Sequence, residues 1–340
     1  MTRLILVPLD GSAFSAGALP AAAAIARRQG AALHLVAVYT PMVVPLPFQG
    51  GPEYDTRFDD EQREAHRQAL ARYAERLRDE AGVAATWVVV DGEPAEALAT
   101  EARAQGAELL VLTTHGAGGF ERAWLGSVAD ELVRRSPAPV LLIRPDGAGD
   151  RAGLDASAVL APVADAGRPP LQDARGAYAF RRVLVALDGS PLAEEIIGPA
   201  LELVAADDAT WVLLRVVPVP PTAAPGEHTY WMPAEERAIA AGREAARDYL
   251  ESVAARLRAA GRRPEPCVVL HHDPARAIIG EAAARGADLI ALTTHARRGL
   301  ARMRLGSVAD KVVRAAHCPT LVTRPRADPR AASAEPSPGR

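Results

Sequence analysis

Cysteine is almost missing from this 340-residue chain. Cys267 and Cys318 are the whole complement, which excludes a disulfide framework and predicts two buried, reduced thiols. Lysine is scarcer still: Lys311 stands alone among 39 basic residues, so chemistry that needs a phosphate-gripping lysine is excluded from the first half. No apolar run approaches the ~20 residues of a membrane-spanning helix. The apolar stretch in MTRLILVPLDGS is too short for a signal peptide, and a cytoplasmic location is the expectation. A formal net charge of -3 gives no argument for nucleic acid or an anionic membrane as partner. Also missing are a GxxxxGK[ST] loop, a Ser-Gly-Gly-x-Asp-Ser loop and a His-x-Gly-His signature. These absences argue against the established ATPase and nucleotidyl-transfer routes.

What is present comes twice. Residues 108–135 read ELLVLTTHGAGGFERAWLGSVADELVRR, and 288–314 read DLIALTTHARRGLARMRLGSVADKVVR, 180 positions later. LILVPLDGS at 4–12 returns as VLVALDGS at 183–190, with Asp10 and Asp188 separated by 178. Copies of this length predict two domains of one fold rather than short solenoid units. The division is 1–145 and 181–325, joined by a linker at 146–180 and followed by a Pro-, Ala-, Ser- and Arg-rich tail at 326–340, predicted to be disordered.

Within the first copy, strand and helix alternate. Strands are predicted at 4–9, 33–39, 87–90, 109–113 and 140–143; helices at 13–29, 57–81, 94–105 and 127–135. Gly30 and Gly82 read as helix stops, and Ser12 or Asp10 as a helix cap. Phe58, Ala65, Leu70, Tyr73 and Leu77 form an apolar stripe near the 3.6-residue period. The fold class is therefore α/β: two tandem Rossmann-like domains, each a five-stranded parallel sheet with helices on both faces.

Ligands of such sheets sit beyond the carboxyl ends of the strands, where strand order reverses. That edge collects Asp10, the strand end near Val38, and the loop after Thr113. The helix starting at Ser127 offers unpaired amides and the positive end of its dipole, which suits an anion. Gly126 places no Cβ in the way, and Ser127 adds a hydroxyl. Asp10 is suited to accept hydrogen bonds from a ribose.

On these residues the chain resembles a tandem universal stress protein of the UspA type. In the ATP-binding branch of that family the loop runs Gly, two residues, Gly, nine residues, Gly, then Ser or Thr. The first copy has Thr113, two residues, Gly116, nine residues, Gly126-Ser127; the second has Thr293, Ala296, Gly306 and Ser307 at the same intervals. Thr stands for the first glycine in both copies, and Ala296 adds a Cβ where the second glycine belongs. The resemblance implies that Asp10 binds ribose or adenine, that the Val38 backbone meets the adenine edge, and that Gly116, Gly126, Ser127 and Val128 hold phosphates. Asp188, Val216, Gly306, Ser307 and Val308 match them in the second copy, and both Asp-to-Val intervals are 28 residues. It implies ATP or a related adenine nucleotide as cofactor, with magnesium as a companion left open. It also implies a pseudo-twofold pairing of the two domains through their last strands, and it admits a homodimer of whole chains.

Plainer readings stay open beside these. Asp10 and Asp188 serve equally as helix caps, and Gly126-Ser127 as a tight turn plus cap. His115 and His295 have no accompanying nucleophile. Arg122, Arg302 and Arg304 suit either a triphosphate clamp or plain solvation, while Trp124 and Met303 suit packing. Tyr54, Tyr230 and Trp231 lie in proline-rich excursions that suit lids or surface packing. His271 and His272, read as neighbours on a strand, would point to opposite faces and not share a metal ion. A slow ATPase and a nucleotide-independent scaffold are the competing functions.

Overall fold

The computed structural model describes residues 3–41, 56–114, 125–144, 178–204, 206–219, 233–294 and 306–325. Gly116, both histidine loops with their arginines, both proline-rich excursions, the tail and most of the linker lie outside the described residues.

The first half runs β1 (Leu4–Pro8), α1 (Ala13–Ala16), α2 (Leu19–Gln29), β2 (Ala32–Tyr39), α3 (Thr56–Ala81), β3 (Ala85–Asp91), α4 (Pro94–Ala104), β4 (Leu109–Thr113), α5 (Ser127–Arg135) and β5 (Val140–Ile143). The second repeats it as β6 (Arg182–Ala186), α6 (Pro191–Glu194), α7 (Ile197–Leu203), β7 (Thr210–Val217), α8 (Pro233–Ala259), β8 (Arg263–Leu270), α9 (Pro274–Ala284), α10 (Ser307–Ala315) after β9 (Leu289–Thr293), and β10 (Thr320–Thr323). Gly30 and Gly82 do end their helices in the left-handed region, with φ of 62° and 65°.

One expected helix is two. Residues 13–29 break at Gly17-Ala18, whose amides make tight i→i+3 bonds to Phe14 and Ser15. Pro20 has no N–H to return to the Ala16 carbonyl, so a continuous α ladder cannot form there. The second half breaks likewise before Pro199, between α6 and α7.

Hydrogen bonding orders the strands β3-β2-β1-β4-β5-β10-β9-β6-β7-β8 in a single ten-stranded sheet. Each half is parallel within itself. The halves meet where β5 and β10 pair antiparallel, Leu141 opposite Leu321. The uninterrupted apolar runs of the inner strands follow from coverage on both faces. One core layer holds Ile5, Leu33, Leu70, Leu77 and, from the other half, Trp211 and Leu257. The opposite layer holds Leu6, Leu98, Leu132, Ile290 and Val312. Both layers therefore run through both halves.

The last linker residues belong to the fold. Phe180 is buried against the first layer and Tyr178 packs edge-on to it. Arg28 of α2 donates to the Tyr178 carbonyl, which fixes the chain where it enters β6. Cys267 is buried as expected, but Cys318 is only half-buried.

Candidate functional site

Strand β1 has β2 on one side and β4 on the other. The chain winds outward from β1 through β2 to β3, then returns to start β4 on the far side. That reversal opens the crevice of a doubly wound sheet, and Asp10 and Thr113 flank it from the ends of β1 and β4.

Asp10 does not cap α1. Ser12 is the N-cap: its Oγ accepts from the Ser15 amide at 3.0 Å. Asp10 instead accepts through Oδ1 from the Ser12 amide at 2.9 Å and the Ser12 hydroxyl at 2.6 Å, while its own amide donates to Ser15 Oγ at 3.2 Å. Gly11, at φ 84°, supplies the turn that permits this. The carboxylate is exposed at the surface although protein atoms crowd it at longer range. That crowding alone would raise its pKa, but the hydrogen bonds from Ser12 and Ser15 outweigh it and hold the carboxyl below the usual carboxylate range. A fixed, ionised acceptor results.

Across the crevice, Gly126 is the N-cap of α5, with φ -57° and no side-chain cap hydrogen bond. Ser127 is thus the first helical residue and not the cap, and the same holds for Gly306 and Ser307 on α10. Ser127 is exposed and Val128 half-buried. Val38 and Val128 pack against the same core layer, so they share one face of the sheet; Val216 and Val308 do so in the second half. Thr113 and Thr293 are both buried at their strand ends. Asp10, Val38, Thr113, Gly126, Ser127 and Val128 therefore lie on one sheet edge.

The second half differs in two ways. Asp188 keeps the Ser190 amide at 2.9 Å, but Ala193 stands where the first half has Ser15. The Arg215 guanidinium lies so close to Gly189 that a Cβ there would meet Nη1 at 2.7 Å. It also covers the Tyr249 ring, 5.2 Å from the centroid. The matching strand position in the first half is Ala37. Furthermore, the Gly306 amide donates to the Thr294 carbonyl at 3.0 Å; no such bond joins Gly126 to Thr114 among the described residues. Sequence reasoning missed Arg215, although a lone arginine inside TWVLLRVV, opposite alanine in the other copy, was the visible signal. Ser15 was missed as a partner of Asp10.

A polar cluster beside the first crevice was also missed. Tyr39 donates to Asp59, and Arg63 lies 4.7 Å over the Tyr39 ring while pairing with Asp91 at 3.1 Å. It pins α3 to the ends of β2 and β3. His271 and His272 lie beyond β8, not on it, and their rings stack at 4.5 Å instead of diverging. His271 Nδ1 accepts from the Asp273 amide at 2.8 Å, a use that caps the turn.

Fold and crevice together define a tandem pair of Rossmann-like domains, each presenting an aspartate and a glycine-capped helix start at its strand ends. The chain belongs to the universal stress protein family, whose sequence description matches residues 1–144 and 179–324. It is 28% identical over 337 residues to a universal stress protein of Mycolicibacterium smegmatis, covering 95% of this chain and 97% of that one. It is 33% identical over 148 residues to universal stress protein YxiE of Bacillus subtilis, 42% of this chain and all of the relative. A universal stress protein from Archaeoglobus fulgidus has the same fold, with a TM-score of 0.62 over 95% of this chain and 99% of that one at 18% identity. No described helix is long and apolar enough to cross a membrane.

Proposed function

We propose that this chain is a cytoplasmic adenine-nucleotide-binding protein of the stress response, with ATP as ligand and the first half as the principal site. Its action is ligand-stabilised conformation or assembly of the paired halves rather than turnover. The observation that carries this reading is the pairing, at one switch-point edge, of the hydrogen-bonded Asp10 carboxylate with the glycine-capped start of α5. In this reading Asp10 takes the sugar, the Val38 backbone the base, and the amides at Gly126, Ser127 and Val128 the phosphates. Gly116 completes the phosphate loop, with Thr113 at its root.

In the second half Asp188, Val216, Gly306, Ser307 and Val308 supply the same groups. There the Gly306 amide is already engaged and Arg215 lies against the Asp188 turn. Those two contacts favour a structural, nucleotide-independent role for that half.

Thermal unfolding of the full chain with ATP and magnesium tests the assignment. Ligand at 100 times its dissociation constant adds about 2.7 kcal/mol to stability. Asp10→Ala combined with Ser127→Asp abolishes that gain, whereas Asp188→Ala with Ser307→Asp preserves it. No gain for the wild type at millimolar ATP rejects nucleotide binding; loss only in the second pair of variants reverses the choice of half.

A further inference from the structure

Among the described residues the ten-stranded sheet ends in two unpaired edges, and they are built differently. In a strand the backbone N–H and C=O of successive residues point alternately to either side. Gly92 donates to the Tyr39 carbonyl and Leu33 to that of Ala84. With Leu33 opposite Ala85 and Tyr39 opposite Asp91, the backbone groups of Ala85, Trp87, Val89 and Asp91 face away from β2. At the other end His271 donates to the Val217 carbonyl, and Val217 lies opposite Leu270. The outward positions of β8 are therefore Pro264, Pro266, Val268 and Leu270.

Proline has no N–H, so Pro264 and Pro266 delete two adjacent donors from the β8 edge without touching the inner ladder. Such prolines are a recognised block against strand addition. By register, Ala85 and Trp87 occupy the matching places on β3 (Ala85 opposite Leu33, as Pro264 is opposite Trp211). The β3 edge keeps every outward donor. Among the described residues each edge exposes one large apolar side chain, Trp87 on β3 and Leu270 on β8, both at 38%, so the intact row of donors is what sets the β3 edge apart.

We propose that the β3 edge is an interaction surface for a second copy of this chain, pairing antiparallel with the other β3 across a two-fold axis at Val88. In that register Trp87 faces Val89 of the other copy on the same side of the sheet, an aromatic–β-branched pair of the favoured kind. Asp91 faces Ala85, so no like charges oppose each other. Each Asp91 is moreover held by its own Arg63 at 3.1 Å. The proline-blocked β8 edge disfavours head-to-tail addition of β3 to β8, which would grow an open fibre. Only the closed, two-fold pairing remains. This assembly is independent of whether nucleotide binds.

Sedimentation equilibrium of the full chain from low to several hundred micromolar tests it, because a joint of one strand lies at the small end of specific interfaces. The weight-average mass of the wild type rises from 35.8 kDa toward twice that value. Ala85→Pro with Trp87→Pro, which transplants the second half's own residues, stays at the single-chain mass with an unchanged far-UV spectrum. Should that variant lose its spectrum, Trp87→Lys replaces it and is expected to stay at the single-chain mass too. Amide exchange at Trp87, Val89 and Asp91 slows with concentration, while that at Val268 and Leu270 does not. A wild type that keeps the single-chain mass at the highest concentration overturns the proposal. So does a folded variant that associates like the wild type, or a dimer whose β3 amides exchange as fast as in dilute protein.

Discussion

At the residue scale the character of the crevice rests on who donates to Asp10. Two hydroxyls and an amide converge on the Asp10-Gly11-Ser12 turn, and the depressed carboxyl pKa follows from them. Ser12→Ala removes the closest donor and the α1 cap together. The expected result is a rise of the Asp10 pKa toward its ordinary value of 3.8, read by NMR titration of the side-chain carboxyl. Because the folded-state pKa is depressed, the wild-type turn's contribution to stability is present above the unfolded pKa and fades as pH falls through the folded one. Tyr39 shows the opposite sign. Its ring is nearly covered, and burial, followed by the bond to Asp59, pushes its hydroxyl up to about 12. Stability linked to Tyr39 is complete below the ordinary phenol value of 10.0 and is lost as pH rises toward 12. Asp59→Asn brings the Tyr39 ionisation, followed by ultraviolet absorbance, back toward 10.0.

At the element scale, local rules account for most of the fold and for its departures. Residues 109–113, 127–135 and 140–143 occupy the predicted spans because each signal there is local: a short apolar run, or a helix bounded by Gly126 and the Pro137 turn. The break at Gly17-Ala18 was hidden by an alanine-rich stretch whose helix propensity is high on both sides; only the missing Pro20 amide betrays it. What Arg215 and Ser15 touch was illegible for another reason. Their partners, Gly189 and Asp10, are set by how strands and turns come together in space, which no periodicity records. Glycine stops, in contrast, carry a direct conformational cost. Gly30 holds φ 62° with open space where a Cβ would stand, so Gly30→Ala is a test of backbone strain without a steric clash. A loss of about 1 kcal/mol in denaturant unfolding is expected.

At the scale of the whole molecule, what joins the halves decides how it unfolds. The β5·β10 ladder is the only strand joint between them among the described residues. Two arginines repeat across it: Arg144 donates to the Arg314 carbonyl at 2.9 Å, and Arg324 to the Arg134 carbonyl at 3.3 Å. Each carbonyl lies in the last turn of the other half's helix, where unpaired acceptors and the negative end of the dipole favour a cation. Arg324 is exposed, so each contact contributes only about 0.3–1 kcal/mol. Leu321 belongs to the first core layer and is fully buried; truncating it costs about 2–5 kcal/mol through lost burial and a residual cavity. Apolar continuity therefore outweighs the arginine pair. Leu321→Ala should lower the unfolding midpoint several times more than Arg144→Ala with Arg324→Ala does. Because both core layers cross the joint, the wild type should unfold in one calorimetric transition. Two separated transitions in the wild type would show that the halves are energetically independent despite the shared sheet; two appearing only in Leu321→Ala would place their coupling at this leucine.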